Sequence, residues 1–312
     1  MSDRLHVLIA YDGSPSADIA LDDLRRAGLP ETVDALVLSV ADVWPPSSYE
    51  PAEAPSEQVP PAVKMARAQA AQAVREAQAM AERAAARLGH DFPQWTIRAE
   101  SVADSPAWAI IKRAEAWPAH LVVVGAHGHS ALSRFVLGSV SQKVLTEVKC
   151  SVRIARATPH RAADHLHLAV AIDGSPGANA ALRTIAQRQW PPHTQALILA
   201  VVDPHTNVAD NPFAPPPDDL LAASEQEAHT WVDETVESAA ATLSRARLEA
   251  STLIGEGDPK HVILEEAEAW QADAIFVGAS GITRRGYLVL GSVSTAVAAR
   301  AHCTVEVVRS TP

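Results

Sequence analysis

Two stretches of this sequence, GAHGHSALSRFVLGS at residues 125–139 and GASGITRRGYLVLGS at residues 278–292, share one pattern of glycines. Each reads Gly-x-x-Gly, then nine residues, then Gly-Ser, while most of the residues between the glycines differ. Glycine lacks a Cβ and adopts backbone conformations that other residues avoid. A fixed glycine spacing among variable side chains therefore indicates a requirement of backbone geometry, and this chain meets that requirement twice.

The sequence on either side of these stretches is also duplicated. LHVLIAYDGSPSADIAL at 5–21 matches LHLAVAIDGSPGANAAL at 166–182, and GSVSQKVLTEVKCSVRIAR at 138–156 matches GSVSTAVAARAHCTVEVVR at 291–309. A repeat of this length is far too long for a solenoid and indicates a tandem pair of domains.

The chain has 312 residues, which is enough for two ordinary domains with separate cores. We place the domains at residues 1–157 and 164–312, with the linker ATPHRAADH at 157–165 between them. Two Pro-rich stretches, 43–61 and 204–219, follow the second predicted strand of each half and are expected to be extended excursions.

Within each half, short runs rich in Val, Leu and Ile alternate with longer stretches of helical periodicity. Strands that are buried on both faces read as continuous apolar runs, as HLVVVGA and AIFVGA do. The alternation predicts an α/β fold with a parallel, doubly wound sheet in each half. In the first half, strands are predicted at 5–11, 33–41, 94–101, 119–125 and 151–156, and helices at 15–28, 62–89, 104–116 and 139–148.

The composition favours a globular chain, with 47% hydrophobic and 20% charged residues. No apolar run approaches the roughly 18 residues of a membrane span, and the first residues resemble a strand rather than a signal peptide. We therefore expect a cytoplasmic protein with no membrane partner. The formal net charge of −11, without a strongly basic patch, argues against nucleic acid as a partner.

The glycine pattern suits phosphate binding. Gly125 and Gly278 end apolar strands, and Gly138 and Gly291 begin helical stretches. A glycine-bearing loop between a parallel strand and a helix lets backbone N–H groups approach an anion, and the helix N-terminus adds donors. The alternative is a tight turn with no ligand. The hydroxyls expected to donate to the same phosphate oxygens are those of Ser139, Ser141, Ser292 and Ser294.

Asp12 and Asp173 end the first strand of each half, each within the sequence DGS. A carboxylate at the carboxyl end of a parallel strand could bind ribose hydroxyls or Mg²⁺. It could also cap the following helix, and the two roles are compatible.

These residues resemble the universal stress protein family in its tandem two-domain form. The Gly-x-x-Gly-x9-Gly-Ser spacing is similar to the ATP-binding signature of one branch of that family, and the resemblance covers essentially the whole chain. It implies two five-stranded sheets of the adenine nucleotide alpha-hydrolase-like type, with strand order 3-2-1-4-5, related by a pseudo-twofold axis. It also implies ATP, together with Mg²⁺, as the ligand of each half. The residues that it implies around the nucleotide are Asp12, Val40, Gly125, Gly128, His129, Gly138, Ser139, Val140 and Ser141, and Asp173, Val201, Gly278, Gly281, Gly291, Ser292, Val293 and Ser294.

The family resemblance also implies that the fifth strands of two domains pair. Arg153 and Glu306 occupy equivalent positions on these strands and carry opposite charges. Our hypothesis is that, if they face each other, the unlike pair favours pairing of unlike halves. If the pair is exposed, its contribution should stay below about 1 kcal/mol. Ser151 and Thr304 stand where the family usually has Pro after Cys. The two cysteines, Cys150 and Cys303, are expected to be buried free thiols.

The sequence thus predicts a cytoplasmic stress-response protein that binds ATP once per domain and acts through nucleotide-dependent state or partner choice. No base, nucleophile or phosphoryl-transfer lysine is evident, so no catalytic residue and no metal ligand are assigned. The alternatives are a slow ATPase or adenylyl-transferring enzyme, and a nucleotide-free scaffold. A homodimer or another protein partner stays open. The residues of the two loops that contact either phosphate or solvent are His127, His129, Arg134, Arg284 and Arg285.

Overall fold

The computed structural model describes residues 4–43, 60–128, 137–157, 165–203, 225–280 and 290–310. His129, Gly281, Arg134, Arg284 and Arg285 lie outside these ranges, as do most of the linker between the halves, most of the first Pro-rich stretch and all of the second. In the first half the elements are β1 Leu5–Ala10, α1 Pro15–Asp23, β2 Val33–Ala41, α2 Pro61–Asp91, β3 Thr96–Ala103, α3 Pro106–Ala116, β4 Leu121–Gly125, α4 Ser139–Glu147 and β5 Ser151–Ala155.

The second half repeats this series. A short 3₁₀ turn at Leu24–Arg26 that follows α1 in the first half is the one described element without a counterpart. The elements are β6 His167–Ile172, α5 Pro176–Gln187, β7 Gln195–Val202, α6 Glu225–Arg245, β8 Glu249–Glu256, α7 Pro259–Ala269, β9 Ala274–Gly278, α8 Ser292–Arg300 and β10 Thr304–Val308.

The strands confirm the order 3-2-1-4-5 in each half, as β3-β2-β1-β4-β5 and β8-β7-β6-β9-β10. All neighbours within a half are parallel, which requires the helical crossovers that the sequence alternation predicts. β5 and β10 pair antiparallel, so the two sheets join into one sheet of ten strands. The edge that each fifth strand would otherwise expose is therefore covered by the other half.

The helices begin where the sequence predicts. Pro occupies the first turn of α1, α3, α5 and α7, where its missing N–H costs nothing. Ser14 and Ser175 cap α1 and α5 by accepting hydrogen bonds from the backbone N–H groups of Ala17 and Ala178. In the described ranges, no helix combines the length and the apolar character that a membrane crossing needs.

The two faces of the sheet are packed differently. On the face covered by α3, α4, α7 and α8, one apolar core runs through both halves and includes Val152 and Val305 of the paired fifth strands. On the face covered by α1, α2, α5 and α6, each half has a separate core. Because side chains alternate along a strand, Arg153 and Glu306 point to this second face, between the two separate cores.

Arg153 and Glu306 face each other in the β5–β10 ladder, which is the arrangement that the hypothesis requires. Arg153 Nη1 donates to Glu306 Oε2 at 3.0 Å, and Arg153 Nε donates to Asp23 Oδ2 at 2.5 Å. Arg188 Nη1 donates to the same Glu306 oxygen at 2.8 Å. The pair is only 1% and 0% exposed, so the expectation for an exposed pair does not apply. We call the alternating chain Asp23–Arg153–Glu306–Arg188 the seam network.

Candidate functional sites

Each half contains a cavity at the carboxyl ends of its strands. Each cavity has a volume of about 190 Å³, and the two have equivalent linings. Both lie where the chain order reverses, next to the ends of β1 and β4 in the first half and of β6 and β9 in the second. Ligands of open parallel sheets bind at such switch points.

One part of each cavity is an apolar slot. In the first half its walls are Leu38 and Val40 of β2, Val124 of β4 and Ile110 of α3. The second half supplies residues of the same kind from β7, β9 and α7. A slot of this chemistry suits a flat aromatic ring. The equivalent walls of the second slot are Leu199, Val201, Val277 and Ile263.

The first turn of α3 and of α7 closes this slot, a contribution that the sequence reasoning missed. Pro106 and Ile110 line the first cavity, and Pro259 and Ile263 line the second. A signal was present, because DSPAWAII and GDPKHVIL recur at equivalent places with Pro and Ile at the same offsets.

Asp12 and Asp173 close the turn between the first strand of each half and the next helix. Asp12 Oδ1 accepts from the backbone N–H of Ser14 at 2.9 Å, and Asp173 Oδ1 accepts from Ser175 N–H at 3.0 Å. Gly13, which lies between Asp12 and Ser14, has φ +75°, a left-handed conformation that favours glycine. The carboxylates thus order the start of the helix, while the N-cap itself is the following serine.

The other oxygen of the Asp12 carboxylate lies beside the glycine loop. A Cβ built on Gly128 would lie 3.3 Å from Asp12 Oδ2. Asp12 is exposed and lines the cavity together with Gly128. The first half therefore brings the predicted aspartate and the second glycine of its loop together at one rim of the cavity.

Gly125 and Gly278 line the cavities and also have a packing role that the sequence does not predict. A Cβ on Gly125 would lie 2.7 Å from the carbonyl oxygen of Ser16, and a Cβ on Gly278 would lie 2.4 Å from the carbonyl carbon of Gly177. Real Cβ atoms do not approach backbone atoms so closely, so these glycines let the strand end touch the first turn of α1 or α5. Contact of both glycines with a ligand stays a prediction.

Gly138 and Gly291 are the N-caps of α4 and α8, and neither helix has a side-chain cap. Their own N–H groups donate to the carbonyls of Ala126 and Ala279, at 2.8 and 2.7 Å, which closes each loop. The N–H groups of the first helical turn therefore have no capping side chain, in contrast to α1 and α5. Both helix ends line the cavities and present the positive end of the helix dipole there.

The serines of these helix starts divide into two kinds. Ser139 and Ser292 are exposed at the rim of the cavity. Ser141 and Ser294 are buried, and their hydroxyls donate to the carbonyls of Gly125 and Gly278 at 2.7 and 2.6 Å. These hydroxyl protons hold each helix to its strand end, and both serines also line the cavities, so their contact with phosphate stays a prediction. Val140 and Val293 lie half-buried between the two kinds.

The two sites are not identical. Ser16 Oγ accepts from the backbone N–H of His127 at 3.1 Å in the first half, whereas the equivalent residue in the second half is Gly177. Tyr11 lines the first cavity, and its hydroxyl donates to Asp18 at 2.8 Å. Burial and this carboxylate raise the pKa of Tyr11 to about 12, so the phenol stays neutral. The two cavities thus differ in the fixation of the loop and in wall polarity.

The architecture and both halves of the sequence match known proteins. A universal stress protein of Mycolicibacterium smegmatis is 28% identical over 320 residues, covering 97% of this chain and 96% of that protein. The solved structure of a universal stress protein from Archaeoglobus fulgidus superposes with a TM-score of 0.63 at 20% identity, covering 97% of this chain and 98% of that one. A structure from Pseudomonas aeruginosa, described as a putative universal stress protein, gives 0.58 at 14% identity, with 97% and 92% covered. The family model described as the universal stress protein family matches residues 4–156 and again 166–309. The chain therefore belongs to the universal stress protein family, with two domains in tandem.

Proposed function

We propose that the chain binds one ATP molecule in each half and acts as a cytoplasmic regulatory protein of the stress response. The observation that carries the proposal is the pairing, twice over, of an apolar slot with an uncapped helix N-terminus. An adenine ring requires the first feature and a polyphosphate the second.

In this proposal the adenine lies in the slot against the backbone of Val40 or Val201. Asp12 and Asp173 accept hydrogen bonds from ribose hydroxyls. The phosphates lie at the starts of α4 and α8 and receive backbone N–H groups there. The remaining predicted contacts at the phosphates are Gly125, Gly128, His129, Gly138, Ser139, Val140, Ser141, Gly278, Gly281, Gly291, Ser292, Val293 and Ser294.

Mg²⁺ enters this proposal with the phosphates. Among the residues that the structure describes, no group of three or more His, Cys, Asp or Glu side chains could hold a metal ion. Mg²⁺ is commonly held by one or two carboxylates together with phosphate oxygens and water. Asp12 lines the first cavity and Asp173 lines the second, so these are the carboxylates proposed for this role.

Nucleotide-dependent state, rather than turnover, is the proposed mode of action. Neither glycine loop is followed by the GKS or GKT of a Walker A motif, so the lysine with which that motif reaches the β- and γ-phosphates has no counterpart in the sequence of these loops. Binding of ATP, or of a product, would then bias the choice of protein partner. The partner could be a second copy of the chain.

The first test identifies what the purified protein carries, by denaturing it and determining the mass of any released nucleotide. Titration calorimetry with Mg-ATP then gives the number of sites, and two are expected. Val40→Trp fills the first slot and should reduce the number to one, as should Val201→Trp for the second. Asp233→Trp, on the exposed face of α6, is a control that should keep both sites.

A second pair of variants tests the carboxylates. Asp12→Asn keeps an acceptor for Ser14 N–H but loses the negative charge, and Asp173→Asn does the same beside Ser175. Each should weaken its own site about tenfold, as expected for one hydrogen bond to a charged group. Two unchanged sites in the slot variants, or no heat of binding in the wild type, would refute the proposal in favour of a nucleotide-free scaffold. Steady ATP turnover by the wild type that is lost in both Asn variants would favour the alternative of a slow ATPase.

A further inference from the structure

Each half contributes one buried arginine to the other half. Arg156 follows β5 and Arg309 follows β10, at equivalent positions of the repeat, and each residue is 8% exposed. Arg309 Nη2 donates to the carbonyl of Leu145 in the last turn of α4 at 2.8 Å. Arg156 Nη2 donates to the carbonyl of Ala298 in the last turn of α8 at 2.5 Å. Leu145 and Ala298 are themselves equivalent, so each half makes the same contact with the other half across the β5–β10 boundary.

The backbone of each arginine is also held by the opposite half. Ser151 Oγ accepts from Arg309 N–H, and Thr304 Oγ1 accepts from Arg156 N–H, both at 3.2 Å. These hydroxyls occupy the two positions where the family resemblance leads one to expect Pro. Proline would offer no acceptor side chain, so the departure from the family pattern is part of the crossed contact.

The electrostatic surroundings of Arg156 and Arg309 indicate that the favourable interactions of their guanidinium groups are with the helix ends. Within the described ranges, no carboxylate forms an ion pair with either guanidinium. Arg156 Nε and Nη1 and Arg309 Nε are buried without a hydrogen-bond partner. Burial lowers the pKa of Arg156 to about 10 and also lowers that of Arg309. The compensating interaction is with the carbonyl end of a helix, which carries the negative end of its dipole.

The helices held in this way are the two whose other ends line the cavities. α4 and α8 have nine residues each, which makes them about 13 Å long. Such a short helix moves as one rigid piece, so an anchor at its last turn also fixes the N–H groups of its first turn. The anchor of α4 comes from the second half, and the anchor of α8 comes from the first.

We propose that Arg309 positions α4 for nucleotide binding in the first half and that Arg156 positions α8 in the second. Each nucleotide site is then complete only when the two halves are docked. This inference rests on the proposed function for its ligand, but its structural part stands without one. Neither arginine touches the cavity, so both are positioning residues.

Hydrogen–deuterium exchange of the full chain, read by mass spectrometry, tests the proposal without requiring a ligand. Arg309→Met keeps the apolar stem and removes the guanidinium. The rate of amide exchange should rise about tenfold in 139–147, because the helix loses the stabilisation of one charge-assisted hydrogen bond. Exchange in 292–300 should stay unchanged. Arg156→Met should show the reverse. Val308→Ala is the control for general loosening of the second half, because Val308 ends β10 and packs in the separate core of that half, and it should not affect 139–147 selectively.

Mg-ATP provides the second readout. Arg309→Met should weaken nucleotide protection of 139–147 about tenfold in apparent affinity and leave protection of 292–300 at the wild-type level. Arg309→Lys, which keeps a cation, should restore most of the affinity and covers the case in which the Met variant does not fold. Exchange that rises in the half carrying the substitution, or equally in both helices, or in neither, overturns the proposal. Absence of nucleotide protection in the wild type overturns the proposed function. The exchange of the ligand-free variants still tests whether each arginine positions the helix of the opposite half.

Discussion

Removing Arg153 should destabilise the protein strongly. Its guanidinium lies between Asp23 and Glu306, at 2.5 and 3.0 Å, and it is 1% exposed. Arg153→Met would leave two buried carboxylates, of which Glu306 keeps Arg188 and Asp23 keeps the hydroxyl of Thr304. Breaking one member of a buried ion pair costs about 3–5 kcal/mol, because an uncompensated charge stays buried. We expect a loss in this range at pH 7.

Equilibrium urea denaturation, followed by far-UV circular dichroism, measures this loss as a change in the free energy of unfolding. Arg4→Met is the matched control, since Arg4 is half exposed and pairs with Asp34 at 3.3 Å. An exposed pair is worth below about 1 kcal/mol. The reasoning would be refuted if the Arg153 variant lost as little as the control, because the seam network would then contribute no more than a surface pair.

The pH dependence gives an independent check. Burial raises the pKa of Glu306, but the charges of Arg188 and Arg153 outweigh it and hold the pKa below its ordinary value. A lowered carboxyl pKa contributes stability above the unfolded value of about 4.3, and this contribution is lost as the pH falls through the folded value. Without Arg153 the pKa of Glu306 should rise, so the difference in stability between wild type and variant should narrow between pH 7 and pH 4. A constant or widening difference would contradict this assignment.

Three further outcomes are expected. Gly278→Ala places a Cβ 2.4 Å from the backbone of Gly177 and should lower the free energy of unfolding by at least about 1–3 kcal/mol. Urea denaturation measures this loss, and an unchanged midpoint would contradict the packing role. Ser14→Ala removes the cap of α1 and should cost about 1 kcal/mol by the same measurement, with a loss near zero counting against the cap. Cys303 is buried as expected, whereas Cys150 is only half-buried. Loss of solvation raises the pKa of both thiols to about 12, so at pH 8 both should react slowly with a disulfide reagent until urea unfolds the chain. Rapid reaction of Cys303 in the native protein would contradict its burial.

The site could be predicted from the sequence in position but only partly in mechanism. The spacing of Gly125, Gly128 and Gly138 correctly marks a strand-to-helix loop beside a cavity. It does not distinguish a glycine that faces a ligand from one that faces another helix. For Gly125 the deciding contact is with Ser16, which lies more than 100 residues earlier in the chain. The same applies to Ser141, which lines the cavity but donates its hydroxyl proton to the carbonyl of Gly125.

The seam shows the same division. The opposite charges of Arg153 and Glu306 at equivalent positions are visible in the sequence, and the register of the two strands then places them opposite each other. Their burial and their further partners do not follow from the repeat. Asp23 and Arg188 have Thr184 and Ala27 as their equivalents, so the comparison of the two halves gives no sign of them. Arg156 and Arg309, in contrast, do recur in the repeat, and that recurrence was available as a signal.

The sequence by itself determined the duplication, the alternation of strands and helices, the bounds of most elements and the side of each sheet where a ligand could bind. These properties depend on local periodicity and on turn residues that act over a few positions. The tertiary structure alone decided which side chains are buried at the seam, which glycines serve packing, and which half holds the last turn of α4 and of α8. Those contacts join residues more than 100 positions apart, and their strength depends on the exclusion of water, which no local pattern records.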